Sequence, residues 1–358
     1  MEKALIAMSG GVDSSVAAFL MKQQGFDCIG CTMKLRQSPD ETLPGERTCC
    51  SLEDVEDARA VAFKLGMPYY VFNFQEDFEE KVIKKFVWCY ENGLTPNPCI
   101  DCNRYMKFEK LFDRAKILGC EYIVTGHYAR IARRADRLVL KKAVDERKDQ
   151  SYFLYSLTQE QLRHTRFPLG SMQKAEIRRI AEENGFVNAA KPDSQDICFV
   201  PDGDYLAFLE AYTQKAYPAG DFLNTGGAVI GRHRGAVAYT LGQRKGLGLA
   251  MGAPVYVCGK DMLRNTVTVG SNADLFHSSL RAGDWNWFPF PALSQPMRVA
   301  AKIRYRQQEQ PATVYPEADG SARVVFDSPQ RAITPGQAVV LYEGDTVVGG
   351  GTITSVGE

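Results

Sequence analysis

A glycine-rich stretch near the N-terminus, Ser9-Gly10-Gly11-Val12-Asp13-Ser14, has the residue types of a phosphate-binding loop. An apolar run from Ala4 to Met8 precedes it and is typical of a buried parallel strand. Apolar residues at helical spacing follow it from Val12 to Met21. We therefore expect a loop between a strand and a helix N-terminus, where backbone N–H groups and the helix dipole attract an anion.

This loop has no lysine, although an ordinary phosphate-binding loop places one after its last glycine, where it reaches the β- and γ-phosphates. Asp13 is unusual in an anion site unless a divalent cation such as Mg²⁺ comes with the anion. The pattern resembles the PP-loop of the ATP pyrophosphatases, which split ATP between its α- and β-phosphates. That resemblance implies a loop that holds the departing pyrophosphate; a glycine-rich turn in an unrelated α/β fold is the alternative.

Two cysteines, Cys99 and Cys102, lie in the proline-bearing segment LTPNPCIDCNRYMKF. We predict a loop from Leu94 to Cys102 with a helix beyond it, which places Cys102 at the helix N-terminus. The helix dipole and the neighbouring Arg104 and Lys107 would stabilise a thiolate there and lower the pKa of the thiol. The pair is therefore a candidate for nucleophilic chemistry.

A structural zinc site is the alternative for this pair, and it requires a second Cys-x-x-Cys at a suitable spacing. The only other such pair, Cys28 and Cys31, lies in a predicted strand, where residues i and i+3 point to opposite faces. Cys198 lies in the segment KPDSQDICFVPDGDY, in a predicted loop between Pro192 and Pro201. Together with Cys102 it would complete a two-thiol arrangement.

Alternating strand and helix patterns in the first part of the chain must position these side chains. The helix after Ser51 has a start that resembles a capping box, with Asp54 three residues on. The alternation predicts a doubly wound parallel sheet, in which loops at the carboxyl ends of the strands form the ligand site. We predict strands at 4–8, 28–33, 69–74 and 121–125, and helices at 12–21, 51–65, 78–90 and 105–118.

Beyond Asp202 the pattern changes to short strands and glycine-rich turns, with a hairpin signal at Asp319-Gly320. One helix is predicted at 205–211, and strands at 300–305, 323–327 and 338–342. We therefore expect an α/β protein of three domains: 1–204 with the parallel sheet, 205–279 as a small, mostly β central domain, and 280–358 as a C-terminal β-barrel.

The composition is that of a soluble globular protein, with 45% hydrophobic and 24% charged residues and a net charge of zero. No apolar run approaches the roughly 20 residues of a membrane span, and no signal peptide is apparent. We therefore expect a cytoplasmic protein with reduced cysteines. Eight Lys or Arg lie between Arg130 and Lys148, and such a cluster either follows nucleic-acid phosphates or forms an ordinary solvated surface.

Considered together, the motifs resemble the bacterial tRNA 2-thiouridylase family, PP-loop enzymes that thiolate the wobble uridine of certain tRNAs. The resemblance extends over essentially the whole chain. The motifs that carry it are SGGVDSS at 9–15, TMK at 32–34, TPNPCIDCNRYMKF at 95–108, TGHYAR at 125–130, KDQSYFL at 148–154, DSQDICF at 193–199, GQRKGLG at 242–248, RYR at 304–306 and TPGQA at 334–338.

The resemblance implies a role for particular residues of these motifs. Cys102 is implied as the catalytic nucleophile and Cys198 as the carrier of a persulfide. Asn97, Pro98 and Cys99 are implied as neighbours of the target base. The implied ATP site consists of Ala7, Met8, Ser9, Gly10, Gly11, Val12, Asp13, Ser14, Met33 and Gly126. The implied tRNA contacts are His127, Lys148, Asp149, Gln150, Arg304, Tyr305 and Gln337.

The implied reaction adenylates the uridine C2 oxygen with ATP and Mg²⁺. A persulfide on Cys198, loaded by an upstream sulfur donor, then delivers sulfur to C2. Release of sulfur with the help of Cys102 leaves a disulfide for a cellular reductant. Some relatives carry Asp where this chain has Cys99, and an acid there would assist proton transfer.

Three alternatives remain open on the sequence alone. Cys99, Cys102 and Cys198 together would suit an iron–sulfur cluster of the 4Fe–4S type with one open iron, which would replace the persulfide as sulfur carrier. Other PP-loop enzymes, such as amidotransferase-like synthetases, would bring a glutaminase or amine-handling site, and none is apparent in the sequence. A nucleotide- or metal-sensing binding protein with structural thiols is the non-enzymatic alternative.

Overall fold

The computed structural model describes residues 1–36, 51–193, 197–200 and 203–357. The pair Cys49-Cys50 and the residues 194–196 of the DSQDICF motif lie outside these ranges. Within them, no helix combines the length and the apolar character that crossing a membrane requires.

The first part of the chain forms the expected parallel sheet. Its strand order is β3-β2-β1-β4-β7, and every pairing is parallel. A β-hairpin, β5–β6, leaves the sheet after β4. The strands of this part are β1 (Lys3–Ala7), β2 (Asp27–Lys34), β3 (Tyr69–Asn73), β4 (Tyr122–Thr125), β5 (Ala129–Arg134), β6 (Arg137–Lys142) and β7 (Thr165–Arg166).

Helices cover both faces of this sheet, as expected for a doubly wound fold. One face packs against α1, α2 and α8, and the other against the helices between Gln75 and Ile117 and against α9. The helices are α1 (Val12–Gln23), α2 (Leu52–Lys64), α3 (Gln75–Phe78), α4 (Lys84–Glu91), α5 (Pro98–Asp101), α6 (Leu111–Ile117), α7 (Gln159–Arg163), α8 (Lys174–Glu183) and α9 (Tyr205–Thr213). Two π-helical segments, Glu79–Ile83 and Cys102–Lys110, join α3 to α4 and α5 to α6.

Two local expectations for these elements are confirmed. Ser51 and Asp54 form a reciprocal capping box at the start of α2. The side chains of Cys28 and Cys31 lie in the hydrophobic cores on opposite faces of the sheet, so that they do not form a shared metal site.

The prediction of a loop from Leu94 to Cys102 is wrong in its second half. Helix α5 begins at Pro98, and helical structure then runs without interruption to Ile117. Proline suits the first helical position because its missing N–H would have no partner there and its φ is already helical. The helix therefore starts earlier than the predicted 105, and Cys102 lies one turn inside it.

The central part of the chain forms a small four-stranded sheet with its own core. The strand order is β10-β11-β8-β9, and the core includes Phe222, Tyr239 and Val257. The strands are β8 (Gly220–Leu223), β9 (Val229–His233), β10 (Tyr256–Asp261) and β11 (Thr266–Gly270).

The C-terminal part is the expected β-barrel. Six strands follow the order β12-β15-β14-β13-β16-β17, and pairing between β12 and β17 closes the barrel. The turn at Asp319-Gly320 joins β14 to β15, as the hairpin signal predicts. The strands are β12 (Phe276–Trp287), β13 (Met297–Lys302), β14 (Gln310–Pro316), β15 (Ala322–Arg331), β16 (Ala338–Glu343) and β17 (Thr346–Gly357). The first barrel strand thus begins before residue 280, the predicted domain boundary.

The barrel shares a hydrophobic core with the first part of the chain. Hairpin β5–β6 extends the barrel sheet through the pair Lys141 and Thr346. Val139 and Leu140 of the hairpin are buried together with Val340, Tyr342 and other barrel residues. The first and last thirds of the chain are therefore joined by a common core, and we expect them to unfold together.

Leu140→Ala is expected to destabilise the barrel as well as the sheet domain, because Leu140 is fully buried in the shared core. The loss in unfolding free energy should be about 2–5 kcal/mol. Urea unfolding in a Trp88→Phe background would report the barrel through the fluorescence of Trp285 and Trp287. Leu111→Ala is the stricter comparison, because Leu111 is equally buried but lies in a core that has no barrel residue, and joint unfolding requires that it also shift the tryptophan transition. An unchanged tryptophan transition in Leu140→Ala would contradict the joint unfolding of the two parts.

Candidate active site

The glycine-rich loop lies between β1 and α1, as its sequence predicts. Gly10 has φ +75°, and a Cβ atom there would lie 2.4 Å from the backbone oxygen of Asp54, so that only glycine fits. The Ser14 hydroxyl accepts from the Ser9 N–H at 3.2 Å and donates to the Gly11 carbonyl at 2.9 Å. No side chain caps α1 at Gly11. The loop is thus rigid, and the positive end of α1 lies behind it, as an anion site requires.

Asp13 is held by two side chains from distant parts of the chain. The Lys174 ammonium, at the start of α8, lies 2.7 Å and 2.8 Å from the two carboxylate oxygens of Asp13. The Tyr128 hydroxyl donates to Asp13 at 2.7 Å, and burial together with the Asp13 charge raises the pKa of the phenol. Lys174 is itself buried. The loop has no lysine in its own sequence, but helix α8 therefore places one beside it.

Lys174 also contacts a second carboxylate, that of Asp193, at 2.8 Å. Asp193 accepts a further hydrogen bond of 2.7 Å from Lys148. Burial alone would raise the pKa of Asp193, but the hydrogen bonds from Lys148 and Lys174 hold it below its ordinary value. An ionic chain from Asp13 through Lys174 and Asp193 to Lys148 results, and it links the glycine loop with the segment 148–150.

The remaining predicted ATP residues lie around the same loop. Gly126 follows β4 and packs against the start of α1, where an added Cβ would lie 2.8 Å from the backbone nitrogen of Ser14. Met33 and Ala7 lie at the carboxyl ends of β2 and β1. Both pack against the core on the sheet face that is covered by α9 and the helices between Gln75 and Ile117. These positions match the ligand edge of a parallel sheet. Their role in ATP binding stays a prediction.

His127 is buried next to Gly126, between the rings of Phe108 and Phe167. Burial and the nearby Lys107 hold the pKa of the imidazole well below its ordinary value of 6.5. Lys107 lies 3.5 Å from Nε2 and can only donate, so Nε2 accepts and Nδ1–H donates to the Thr125 hydroxyl at 2.6 Å. His127 is therefore a neutral, oriented side chain at the edge of the site.

The segment that carries the predicted base contacts forms the first turn of α5. Asn97 is the N-cap residue but makes no side-chain cap hydrogen bond, Pro98 is buried, and Cys99 is exposed. Cys102 is half-buried and begins the π-helical segment, a local geometry that is frequent at functional sites. The thiol nearest the helix N-terminus is thus Cys99, not Cys102 as predicted.

Cys198 lies in a short turn that Phe199 anchors. The Phe199 ring is buried edge-on against Phe86, with 5.0 Å between the ring centroids. The Arg36 guanidinium donates to the carbonyl of Cys198 at 3.2 Å. The side chains of Cys198 and Cys102 pack against the same hydrophobic core, which also contacts Met33. Both predicted sulfur-carrying thiols therefore pack against one hydrophobic core.

A metal centre requires at least three suitable side chains grouped in space. Within ranges 1–36, 51–193, 197–200 and 203–357, no three Cys, His, Asp or Glu side chains are grouped as a metal site. Cys99, Cys102 and Cys198 are thus not assembled as cluster ligands in the arrangement that the structure describes.

Residues 148–150 make internal contacts that fix this segment. Asp149 is buried and accepts from the backbone N–H groups of Ala143, at 3.0 Å, and Ser151, at 3.2 Å. The Gln150 side chain accepts from the Tyr128 N–H at 2.9 Å. Lys148 is about two-fifths exposed, so one side of its ammonium faces solvent. Lys148 is therefore the member of the three best placed for a phosphate.

The three predicted tRNA residues of the C-terminal part contact three different regions of the chain. The Tyr305 ring lies 4.3 Å from the ring of Phe153. Arg304 donates to the carbonyls of Leu241 and Ala332, so that its guanidinium joins the central sheet to the barrel. Gln337 donates to the carbonyls of Thr95 and Pro96. Their contacts with tRNA stay predictions.

Sequence reasoning missed the residues that form the polar network of Asp13 and Lys174. Tyr128 and Asp193 both lie in quoted motifs, TGHYAR and DSQDICF, and a search for polar residues beside the predicted site residues would have found them. Lys174 lies in no such motif and is far from Asp13 along the chain, so only the fold reveals it. Asn188, which donates to the Gly10 carbonyl at 2.8 Å, is a second residue of this kind.

Comparison with known proteins assigns the chain to a family. A family model described as the tRNA methyl transferase HUP domain matches residues 2–202, the tRNA methyl transferase PRC-barrel domain matches 206–271, and the aminomethyltransferase beta-barrel domain matches 277–353. The tRNA-specific 2-thiouridylase MnmA of Clostridioides difficile (strain 630) is 50% identical over 354 residues, which are 98% of this chain and 98% of the relative. The chain belongs to the tRNA-specific 2-thiouridylase family.

Other relatives agree with this family assignment. The tRNA-specific 2-thiouridylase MnmA of Symbiobacterium thermophilum is 53% identical over 358 residues, 98% of this chain and 92% of the relative. A crystal structure of a 4-thiouridine synthetase–RNA complex with bound ATP aligns with 55% of this chain and 44% of its own, at 21% identity and a TM-score of 0.38. That structural similarity is too low to carry an argument about function.

Within this member of the thiouridylase family, the buried His127 should make folding stability depend on pH. As the pH falls below about 6.5, the unfolded chain takes up a proton on His127 and the folded chain does not, so the unfolding free energy should fall. The contribution approaches about 1.4 kcal/mol per pH unit. Urea unfolding at neutral pH and near pH 5 should therefore show a smaller loss for His127→Gln than for the wild type.

His277→Gln is the control for this measurement, because His277 is only half-buried and lies outside the site. It should keep the wild-type pH dependence. If His127→Gln and the wild type lost the same unfolding free energy between the two pH values, the buried neutral state of His127 would be refuted.

Proposed function

We propose that this chain catalyses the ATP-dependent 2-thiolation of a tRNA uridine. The observation that carries the proposal is a lysine-free glycine loop, in which Asp13 is paired with Lys174, in a chain whose thiols Cys102 and Cys198 share a core with Ala7 at the end of β1. The names of the full-length relatives support the same reaction.

In the first step the uridine C2 oxygen attacks the α-phosphorus of Mg-ATP. A bond forms between oxygen and phosphorus, the bond between the α- and β-phosphates breaks, and pyrophosphate leaves. The glycine loop and the N-terminus of α1 would bind the pyrophosphate oxygens through backbone N–H groups. Lys174 would neutralise negative charge that develops on the leaving group. Asp13 would then be available to bind the Mg²⁺ that accompanies ATP.

In the second step the terminal sulfur of a persulfide on Cys198 attacks C2, and AMP leaves with the former uridine oxygen. The Cys102 thiolate then attacks the Sγ atom of Cys198 and breaks the bond to the transferred sulfur. The sulfur stays on C2, and a Cys102–Cys198 disulfide forms. A dithiol reductant restores both thiols, and a persulfide donor reloads Cys198.

Binding of tRNA would involve both the first and the last parts of the chain. Lys148 lies in the first part and Tyr305 in the last, and the contact of Tyr305 with Phe153 supports a binding surface that both parts would share. A base that reacts at C2 must leave its stack to reach the thiols. Cys99 is exposed on the first turn of α5 and would contact such an extruded base.

The proposed reaction is tested with tRNA that lacks the modification, Mg-ATP and a persulfide donor. Mass spectrometry of the digested nucleosides should show a uridine in which sulfur replaces oxygen, and the nucleotide products should be AMP and pyrophosphate. A methylated nucleoside would favour the methyl transfer after which the matched domain models are named. The absence of tRNA-dependent pyrophosphate release would favour the non-enzymatic alternative, a nucleotide- or metal-sensing binding protein.

Lys174→Met is expected to slow pyrophosphate formation by about 100-fold, the usual effect of removing one charge-stabilising group. The rate is measured at saturating tRNA as release of AMP and pyrophosphate. Lys148→Met is the matched control, because Lys148 shares the Asp193 carboxylate with Lys174 but does not reach Asp13. An equal loss in both variants, or products that are ADP and phosphate, would contradict the role assigned to Lys174 and the loop.

Cys102→Ser and Cys198→Ser are each expected to abolish thiolation while adenylation continues, because both thiols act only in the sulfur step. Cys258→Ser, a half-buried thiol of the central sheet, is the control and should keep full activity. Cys99→Ala should keep substantial activity in the persulfide mechanism and lose it in the cluster mechanism. Iron analysis of anaerobically purified protein accompanies this comparison, and activity confined to iron-loaded protein would refute the persulfide mechanism.

A further inference from the structure

One turn of the barrel is attached to the segment that precedes the exposed Cys99. The turn consists of residues 334–337, between β15 and β16. It is fixed to β17 by two backbone hydrogen bonds of 2.8 Å, from Gly336 N–H to Ile353 and from Ile353 N–H to Gln337. The turn is therefore a rigid part of the barrel.

The contact between this turn and the segment 94–96 is close and specific. The Thr95 N–H donates to the Pro335 carbonyl at 2.9 Å. The Gln337 side-chain amide donates to the carbonyls of Thr95, at 2.9 Å, and Pro96, at 3.2 Å. Gly336 has φ +91°, and a Cβ atom there would lie 2.9 Å from both the nitrogen and the oxygen of Thr95. Only glycine permits this approach.

The segment 95–98 depends on these contacts because, apart from the burial of its two prolines, it offers few other hydrogen bonds that would hold it. Pro96 and Pro98 have no N–H group to donate. Asn97 makes no side-chain cap hydrogen bond to α5. The hydrogen bonds of Thr95 and Pro96 with the barrel turn therefore set the direction in which the chain enters α5, and with it the position of Asn97 and Cys99.

The same helix is attached to the barrel on its other side. Arg104 forms a bidentate ion pair with Asp284 of β12. Asp284 has φ +51°, an uncommon conformation for aspartate, at an irregularity in the pairing of β12 with β17. The barrel thus holds the residues before Cys99 through Gln337 and those after Cys102 through Asp284.

We propose that Gly336 and Gln337 are positioning residues for the catalytic segment 97–102. Both amide hydrogens of Gln337 are directed at the carbonyls of Thr95 and Pro96, so the residue orders the base-contacting segment through its donor group. This inference rests on the proposed function, because the segment is the one that would receive the target base. The barrel then serves catalysis by setting the geometry of a site that lies in the first part of the chain.

The test begins with hydrogen exchange in the protein without tRNA or nucleotide, so that its result does not depend on the reaction. Gln337→Met keeps the length of the side chain and removes the donors. Exchange in the peptide 94–102 should become about tenfold faster, since loss of the two hydrogen bonds makes local opening of this segment easier. Gly336→Ala should have at least the same effect. Gly320→Ala is the matched control, with φ +81° but open space around its Cα, and should leave this peptide unchanged.

The second readout is the kinetics of thiolation at varied tRNA concentration. Loss of positioning should lower kcat of Gln337→Met about tenfold at saturating tRNA, whereas loss of a simple tRNA contact would raise KM for tRNA and leave kcat unchanged. Unchanged exchange in the peptide 94–102, or a change in KM alone, would overturn the positioning role. A wild-type protein without thiolation activity would refute the proposed function, while the exchange result would still decide whether the turn orders the segment.

Discussion

The buried ammonium group of Lys174 lies between the carboxylates of Asp13 and Asp193, and the glycine loop depends on this arrangement. A buried charge is costly unless it is paired, so the three side chains must be placed together when the chain folds. Helix α1, helix α8 and Asp193 are thereby held in one fixed relation. Lys148 continues the ionic chain to the surface where tRNA is proposed to bind.

This chain of alternating charges links Asp13 in the glycine loop with Lys148. A cation that binds Asp13 together with ATP competes with Lys174 for the same carboxylate. Lys174 can then turn towards phosphate oxygens while it keeps its contact with Asp193. In the proposed reaction a lysine from α8 would serve the leaving pyrophosphate in place of a lysine in the loop, and in the structure this lysine is paired with Asp13 and Asp193.

The barrel contributes to the same site from the opposite end of the chain. The shared core of hairpin β5–β6 with the barrel, the Gln337 amide and the Arg104–Asp284 pair all connect it to the segment that carries Cys99 and Cys102. The matched domain models are named after methyl transfer, whereas the full-length relatives are named after thiolation. A glycine loop without lysine and two thiols on one core suit adenylation and sulfur transfer.

The sequence by itself determined the features that depend on neighbouring residues. Local spacing was sufficient to predict the glycine loop between β1 and α1, the capping box at Ser51 and the opposite faces of Cys28 and Cys31. Alternating strand and helix patterns predicted the parallel sheet, and short strands separated by turns predicted the barrel. The start of α5 at Pro98 was missed although proline favours it, because the two prolines and the cysteines also suit a loop. Only the tertiary structure placed Lys174 beside Asp13, the β5–β6 hairpin in the barrel and Gln337 against Thr95. These contacts join residues that are far apart in the chain. Local periodicity and turn signals depend only on neighbouring residues, so they do not predict which distant side chains the packing of helices and sheets brings within hydrogen-bond distance.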